Sequence, residues 1–511
     1  MANKIDSNIT GLFYAEEQTF KTLPGSPIWY GLEPNSYSNF GGTLKRVARA
    51  PIDPTRQNKK GAIVDNDAQG GFNIDFTKNN LNNLLQGLFF ADAREKPSTD
   101  LLNSAAVPLT SVTSGTKTYA AASSLAQFNR AGYILNATGF TNAANNGLKT
   151  VASATTTTVV VNETCVTEAA PPATARLDCV GFQFPSADVQ ITMVGNIVTL
   201  VATATVMNTL GLVEGETIFI GGDTLASNRF VNNVGYGRIS VITATTLTFD
   251  DVTWLTPVNE VSTGKTIQIF FGTVIKNESN PALIKRRSYN FERQLGSGPT
   301  STQAEYLEGA VVNEFKLNVP EASKLSVDLS VVAANNTYLS GESGFAIKSG
   351  TRVGSLGEGA FNTSSNIYRI KLAQVDPTTS TPTSLFGYVT ESSVSIKNGI
   401  KPNKAVGVLG AFDVSASNFE VSGSVTAYFS TTAALSAIRN NADIGLQQIF
   451  AANNAGFIFD IPLLGLDGGE VNITKDEPIK VPVTPAGAAN KNNYTAMYNA
   501  FLYLPTIAMP T

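Results

Sequence analysis

The most informative pattern of hydrophobic and polar positions lies between residues 34 and 90. The pattern predicts a strand from Ser36 to Val47, although its alternation is irregular, and then a polar, basic loop through Pro51 to Lys60. A second, short strand, Phe72 to Phe76, comes directly after two glycines. Five apolar residues then recur at i, i+3, i+4, i+7 and i+8, which is one face of a 3.6-period helix: Leu81, Leu84, Leu85, Leu88 and Phe89. The pattern predicts strand, long exposed loop, strand and a helix that packs by one face.

The same order of elements recurs near the C-terminus. LFGYVTESSVSIKNG is a strand, and the loop that follows contains Lys401, Pro402 and Lys404. FEVSGSVTAYF is a second strand and TTAALSAIRNNAD a short helix. Because element order and loop character agree while few residues are identical, we interpret the two stretches as copies of one unit.

Residues 101–264 have a different composition, which is poor in Lys and Arg and rich in Ala, Thr, Val and Gly. They contain an internal repeat at an offset of 90 residues. It pairs Phe140 with Phe230, Asn142 with Asn232, Gly147 with Gly237, Val151 with Val241, Ala154-Thr155-Thr156 with Ala244-Thr245-Thr246, and Thr158 with Thr248. Self-similarity at a fixed offset indicates repeated structural units. The repeat predicts two small β-modules inserted into a parent domain.

Four regions follow from these patterns. They are an N-terminal arm (1–33), a discontinuous first domain (34–100 plus 265–340), the inserted outer β-modules (101–264) and a second domain (341–511). In the N-terminal arm, the aromatic pair Trp29-Tyr30 either docks on a neighbouring subunit or folds back onto its own core.

The composition favours strands and tight turns and argues against an enzyme. Charged residues make up 15% of the 511 residues, well below the ~25% of typical domains. There is no histidine, which removes Ser-His and Cys-His nucleophile pairs and His-ligated zinc. The acidic pairs Asp250-Asp251 and Asp476-Glu477 suit solvated turns. The sequence therefore predicts no catalysis, no cofactor and no metal.

The loop between the first two strands is basic. It contains Lys45, Arg46, Arg49, Arg56, Lys59 and Lys60 against Asp53 alone. It could contact phosphates, remain a plain solvated loop, or dock on acidic residues of the next copy. Because it has no aromatic residues to stack on bases and the chain has a net charge of -4, we favour docking between subunits.

Several stretches together resemble the major tail tube proteins of long-tailed, non-contractile bacteriophages. They are WYGLEPNSYSNFGG, VARAPIDPTRQNKKGA, AQGGFNIDFTKNNLNNLLQGLFFADARE, FFGTVIKNESNPALIKRRSYNFERQLG, TQAEYLEGAVVNEFKLNVP and NKAVGVLGAFD. The resemblance implies β-sandwich or barrel domains, each with a flanking helix, whose inner sheet lines a tube. It also implies rings that stack into a hollow tail conducting DNA, with residues 101–264 facing outward.

Partners and location follow from the same resemblance. It implies that the chain binds itself, with tape measure protein and DNA in the lumen and tail terminator and distal tail proteins at the ends. Two tube domains per chain favour a trimeric ring with pseudo-sixfold symmetry, and one would favour a hexamer. With neither a secretory signal nor a long apolar run, we expect synthesis in the host cytoplasm and incorporation into the virion. The alternative functions are a decoration or fibre protein of the virion and, less favoured, a carbohydrate-binding β-protein.

Overall fold

The computed structural model describes residue 5 and residues 7–510, apart from 53, 223–224, 297–302, 341–346, 356, 430 and 472. The fold is mainly β, as predicted. Within these residues the strands are, in chain order, β1 (Thr10–Glu16), β2 (Ile28–Leu32), β3 (Pro34–Arg49), β4 (Lys59–Asp75), β5 (Leu109–Thr113), β6 (Thr118–Ala121), β7 (Tyr133–Thr138), β8 (Gly147–Ala154), β9 (Thr158–Val161), β10 (Arg176–Gln183), β11 (Val189–Val194), β12 (Ile197–Ala202), β13 (Thr217–Ile220), β14 (Gly235–Ile242), β15 (Thr246–Val252), β16 (Glu260–Val261), β17 (Gln268–Phe270), β18 (Thr273–Lys276), β19 (Tyr289–Leu295), β20 (Gln303–Val319), β21 (Ser326–Ala333), β22 (Asn335–Ser340), β23 (Thr351–Val353), β24 (Ile367–Gln374), β25 (Val389–Lys397), β26 (Lys401–Asn403), β27 (Asp413–Ser415), β28 (Glu420–Tyr428), β29 (Ile444–Ala452), β30 (Ala455–Gly468), β31 (Lys480–Gly487) and β32 (Met497–Phe501). The α-helices of the same residues are α1 (Asn82–Phe89) and α2 (Ala433–Arg439).

The chain forms two compact units. The first contains residues 1–91, 277–363 and 390–426, and the second contains residues 92–276, 364–389 and 427–511. This division differs from the predicted boundaries, because residues 101–264 share a unit with the C-terminal strands and residues 390–426 share one with the N-terminal strands. Pairing between distant stretches is the reason, since β18 pairs with β32 and β20 pairs with β25.

In the first unit, one long strand belongs to two layers. The N-terminal half of β20 pairs with β19 and β22, and its C-terminal half pairs with β21 and β25. From β21 the pairing continues through β4 to β3. A strand shared in this way joins two layers that enclose one core.

The N-terminal strands β1 and β2 fold back onto this unit. β1 pairs with β19 from Thr10 opposite Leu295 to Glu16 opposite Tyr289, and β2 pairs with β1. Trp29 is fully buried, and its indole N–H donates to the carbonyl of Ser349 at 3.0 Å. Trp29 therefore packs in the chain's own core, the second of the two alternatives for the aromatic pair.

Helix α1 presents the predicted apolar face inward. Each of the five predicted residues is at most 2% exposed, and Leu81 stands at the N-cap. The helix packs against β20, while the hydroxyl of Tyr289 donates to the carbonyl of Asn83 at 2.7 Å. The side chain of Asn398 donates to the carbonyl of Leu88 at 2.8 Å, so both helix ends are fixed to neighbouring strands.

The C-terminal repeat of the element order is also present in the structure. β25, β28 and α2 come in the same order as β3, β4 and α1, with the short strands β26 and β27 between β25 and β28. The hairpin of β29 and β30 then turns at Asn453 and Asn454, both with positive φ. Two such residues are typical of the type I′ turns that match the twist of paired strands.

Strands β5 to β17, which include the whole of the repeat, form one sheet in the order β16-β11-β12-β15-β14-β13-β17-β10-β7-β8-β9-β6-β5. Each module holds one asparagine in the same way. The side chain of Asn145 accepts from the N–H of Val166 at 2.8 Å and donates to its carbonyl at 3.0 Å. Asn233 does so with Val258 at 3.1 and 3.0 Å.

This equivalence corrects the offset of the repeat. Phe140 and Phe230 are 90 positions apart, but Asn145 and Asn233 are 88 apart, as are the starts of β8 and β14. The second module lacks two residues of the turn between the phenylalanine and the asparagine. The offset of 90 therefore holds only at the start of each module, and the strands align at 88.

Candidate assembly surface

Residues 43–64, the far half of the β3–β4 hairpin, form a two-stranded projection that we call the basic arm. Its register places Thr43 opposite Asp67, Lys45 opposite Asp65, Val47 opposite Ala62 and Arg49 opposite Lys59. Bulges interrupt the pairing between Lys45 and Arg46 and between Val47 and Arg49. Within the described part of the chain, no third strand pairs with the arm.

The six predicted basic residues all lie on this arm and are all exposed: Lys45, Arg46 and Arg49 on β3, Lys59 and Lys60 on β4, and Arg56 in the connecting loop. The predicted loop was too long, because β3 extends to Arg49 and β4 begins at Lys59. The predicted short strand Phe72 to Phe76 is the end of the 17-residue β4, which stops at Asp75. A strand exposed on both faces has no alternation of buried and solvated residues, so periodicity could not reveal it.

The arm also exposes large apolar side chains, which the sequence analysis missed. Their exposed fractions are 51% for Leu44, 56% for Val47, 47% for Ile63 and 48% for Val64, and Ile52 is fully exposed. An isolated two-stranded hairpin is only marginally stable in water, and clustered exposed apolar residues mark interaction sites. Apolar and basic residues together therefore make this arm a candidate docking surface.

Lys404, from the loop between β26 and β27, holds the base of the arm. Its ammonium group forms ion pairs with the carboxylates of Asp65 and Asp67. These hydrogen bonds raise the pKa of Lys404, and the bond from Lys404 lowers the pKa of Asp65. Asp65 and Asp67 lie two apart on one strand, so they share a face, and that spacing is the signal that could have predicted the contact.

The Lys404 loop itself is fixed to the core and exposes further apolar side chains. The N–H of Ala411 donates to the carbonyl of Ala334 at 3.0 Å, and Lys21 donates to the carbonyl of Ala411 at 2.6 Å. Gly410 has a φ of +85°, and an added Cβ would lie 2.8 Å from the Ala334 oxygen, so the turn requires glycine. The exposed apolar residues of the loop are Val406, Val408, Leu409 and Phe412.

Other kinds of site find little support in the described residues. They contain no group of three or more Cys, Asp or Glu side chains placed to hold a metal ion. Cys165 and Cys179 are free and buried. No helix in the described part of the chain is long and apolar enough to cross a membrane.

Comparison with known proteins gives one family. The family model described as phage tail tube protein matches residues 7–272 and, a second time, residues 256–485. No curated protein matches the chain. Each match includes one of the two strand-strand-helix units, so the duplication inferred from element order agrees with the family match. The chain belongs to the phage tail tube protein family and is a structural component of a phage tail.

Proposed function

We propose that this chain assembles into stacked rings that form the hollow tail tube of a long-tailed, non-contractile phage, through which DNA is delivered. The observation that carries the proposal is the basic arm, which exposes Leu44, Val47 and Ile63 to solvent in the single chain. A second copy would cover these side chains, and burial of apolar surface stabilises association by about 25 cal/mol per Å².

The arm is proposed to lie at a joint between subunits, where it contacts a neighbouring chain of the same ring or of the next ring. Its charges suit that position, since basic residues on the rim of an interface set orientation more than affinity. The chain as a whole is acidic although the arm is basic, so the rest of the surface offers carboxylates for it. A lumen that passes DNA quickly is expected to be neutral to acidic, which also argues for basic residues outside it.

The ring is proposed to be a trimer with pseudo-sixfold symmetry. The two family matches support two tube domains per chain, so three chains supply six. A hexamer of chains is the alternative, and native mass spectrometry of isolated rings distinguishes the two by mass.

The remaining partners follow from the family. DNA and a tape measure protein would occupy the lumen, and terminator and distal tail proteins would bind the two ends. Synthesis and assembly would take place in the host cytoplasm before incorporation into the virion.

Negative-stain electron microscopy of the purified chain tests the proposal. We expect long hollow tubes of uniform diameter. A protein that stays monomeric across the accessible concentration range, above all one that binds glycans on an array, would instead favour a decoration, fibre or carbohydrate-binding function.

A further inference from the structure

The two copies of the strand-strand-helix unit align at an offset of 353 over the second strand and the start of the helix. Phe72 and Val425 are 2% and 0% exposed, and Leu81 and Ala434 are both 1% exposed. Ile74 and Ala427, Ala68 and Val421, and Leu84 and Ala437 are likewise pairs of buried residues, and Gly70 corresponds to Gly423. Because buried positions agree from strand to helix, β28 in the second copy occupies the place of β4 in the first.

The structure already contains one contact between the two copies, at the base of the arm. Lys404 belongs to the segment that joins the two strands of the second copy, and it pairs with Asp65 and Asp67 on β4 of the first. In this contact, a cation from the joining segment of one copy binds acidic residues on the second strand of the other.

The same offset leads from Asp67 to Glu420 at the start of β28, and from Asp65 to Asn418. Glu420 is exposed, and among the described residues no Lys or Arg lies within ion-pair distance of it. The second copy therefore presents an exposed carboxylate where the first copy binds a lysine.

The joining segment of the first copy is the far part of the basic arm, where Arg49 and Arg56 are exposed. We propose that the arm of one chain binds β28 of a neighbouring chain, where Arg49 and Arg56 contact Glu420 as Lys404 contacts Asp67. Within one chain neither arginine is paired with Glu420 among the described residues, and all three side chains are exposed, so a neighbouring chain can reach them. This inference rests on the proposed self-assembly and names the partner's binding site.

The apolar residues of the arm support a second copy of this chain as its partner over an unrelated acidic molecule. Exposed ion pairs are individually weak, so they fix register, while Leu44 and Val47 on the same arm supply apolar surface to bury. If the two copies alternate around a ring, the contact from the second copy to the first within one chain repeats between adjacent chains. There, the first copy of one chain contacts the second copy of its neighbour.

A charge swap tests the contact. Glu420→Arg alone, and Arg49→Glu with Arg56→Glu alone, should each raise the concentration needed for tube formation about tenfold or more, because each places like charges together. The three substitutions combined should restore tube formation to within about threefold of the wild type, because the pair is reversed but retained. Tubes that form at the wild-type concentration from either partial variant, or no recovery in the combined variant, would overturn the contact.

Glu321→Arg, in the exposed turn between β20 and β21, is the matched control and should leave tube formation unchanged. Melting curves of the monomers show whether each variant is folded. If a charge variant does not fold, Arg56→Cys and Glu420→Cys chains are mixed, assembled and oxidised, and the expected result is a covalent dimer of the two. Cys165 and Cys179 are buried and do not compete. Absence of the dimer in assembled tubes contradicts the contact.

The two proposals fail in different ways. If the wild-type chain forms no tubes, the proposed function fails. If it forms tubes that are indifferent to Glu420 and yield no cross-link, only the docking inference fails.

Discussion

Asn145 and Asn233 make the same three hydrogen bonds in two different modules. Each side chain holds the N–H and the carbonyl of one valine, and each also donates to a glutamate, Glu168 or Glu260, at 2.9 Å. Both asparagines are fully buried. The offset of 88 residues therefore relates equivalent side-chain hydrogen bonds as well as equivalent strands.

Asn145→Ala should destabilise the protein by about 2–3 kcal/mol, because it removes three hydrogen bonds made by a fully buried side chain, two to the backbone of Val166 and one to Glu168. Asn233→Ala should cost a similar amount through Val258. Urea unfolding measures both, with the exposed Asn129→Ala as control. If Asn145→Ala lowers the free energy of unfolding no more than the control does, the hydrogen bonds of Asn145 do not stabilise the protein.

The stability of the modules should fall in acid. Burial raises the pKa of Glu168, but hydrogen bonds from Asn145 and from the backbone of Thr141 and Asn142 outweigh it and lower the pKa below 4.5. The pKa of Glu260 is lowered in the same way. A carboxylate with a lowered folded-state pKa contributes stability above its unfolded pKa, and that stability is lost as the pH falls through the folded value.

Thermal unfolding between about pH 6 and pH 3 checks this expectation. The wild-type protein should lose stability below about pH 4.5, and Glu168→Gln with Glu260→Gln should flatten that decline. An equally steep decline in the double variant would assign the acid sensitivity to other carboxylates.

Lys404→Met should loosen the base of the arm while leaving global stability nearly unchanged. The reason is that exposed ion pairs contribute little to folding but restrict the strands they join. Hydrogen exchange at the amides of residues 65–68 should become faster than in the wild type. Lys401→Met, in the adjacent strand β26 and also exposed, should leave that exchange as it is. Unchanged exchange in Lys404→Met would show that the base of the β3–β4 hairpin is stable without the ion pairs of Lys404.

Neither thiol should react in the native protein. Cys165 and Cys179 are buried, and burial raises the pKa of Cys179, so its reactive thiolate is scarce at neutral pH. A chromogenic disulfide reagent should detect no fast thiol before unfolding and two afterwards. Thr116→Cys, at an exposed position, supplies the positive control, and a fast native reaction of Cys179 would contradict the packing around it.

The sequence predicts what depends on local periodicity and misses what depends on distant pairing. The face of α1 follows from the spacing of Leu81, Leu84 and Leu88, since the helix buries it against β20. The turn at Asn453-Asn454 follows from residues that accept positive φ. The division into units does not, because the pairing of β20 with β25 joins positions far apart in the chain.

The candidate assembly surface was likewise predictable only in part. Its basic residues stand out as a cluster in the sequence, from Lys45 to Lys60. Its strands do not, because a projecting hairpin has no buried face to impose alternation. The spacing of Asp65 and Asp67 indicates an acidic face on β4, but their partner Lys404 is more than 330 positions away, and only the tertiary fold identifies it.

β4 runs without a break from the exposed arm to the buried Phe72 and Ile74, where it pairs with β21 in continuous register. A pull along the tip of the arm therefore loads the β4–β21 hydrogen bonds in shear, together, and does not peel them apart one at a time. Mechanically, the arm is continuous with a strand of the core. Tension between neighbouring subunits would pass into the body of the unit instead of being lost in a flexible loop.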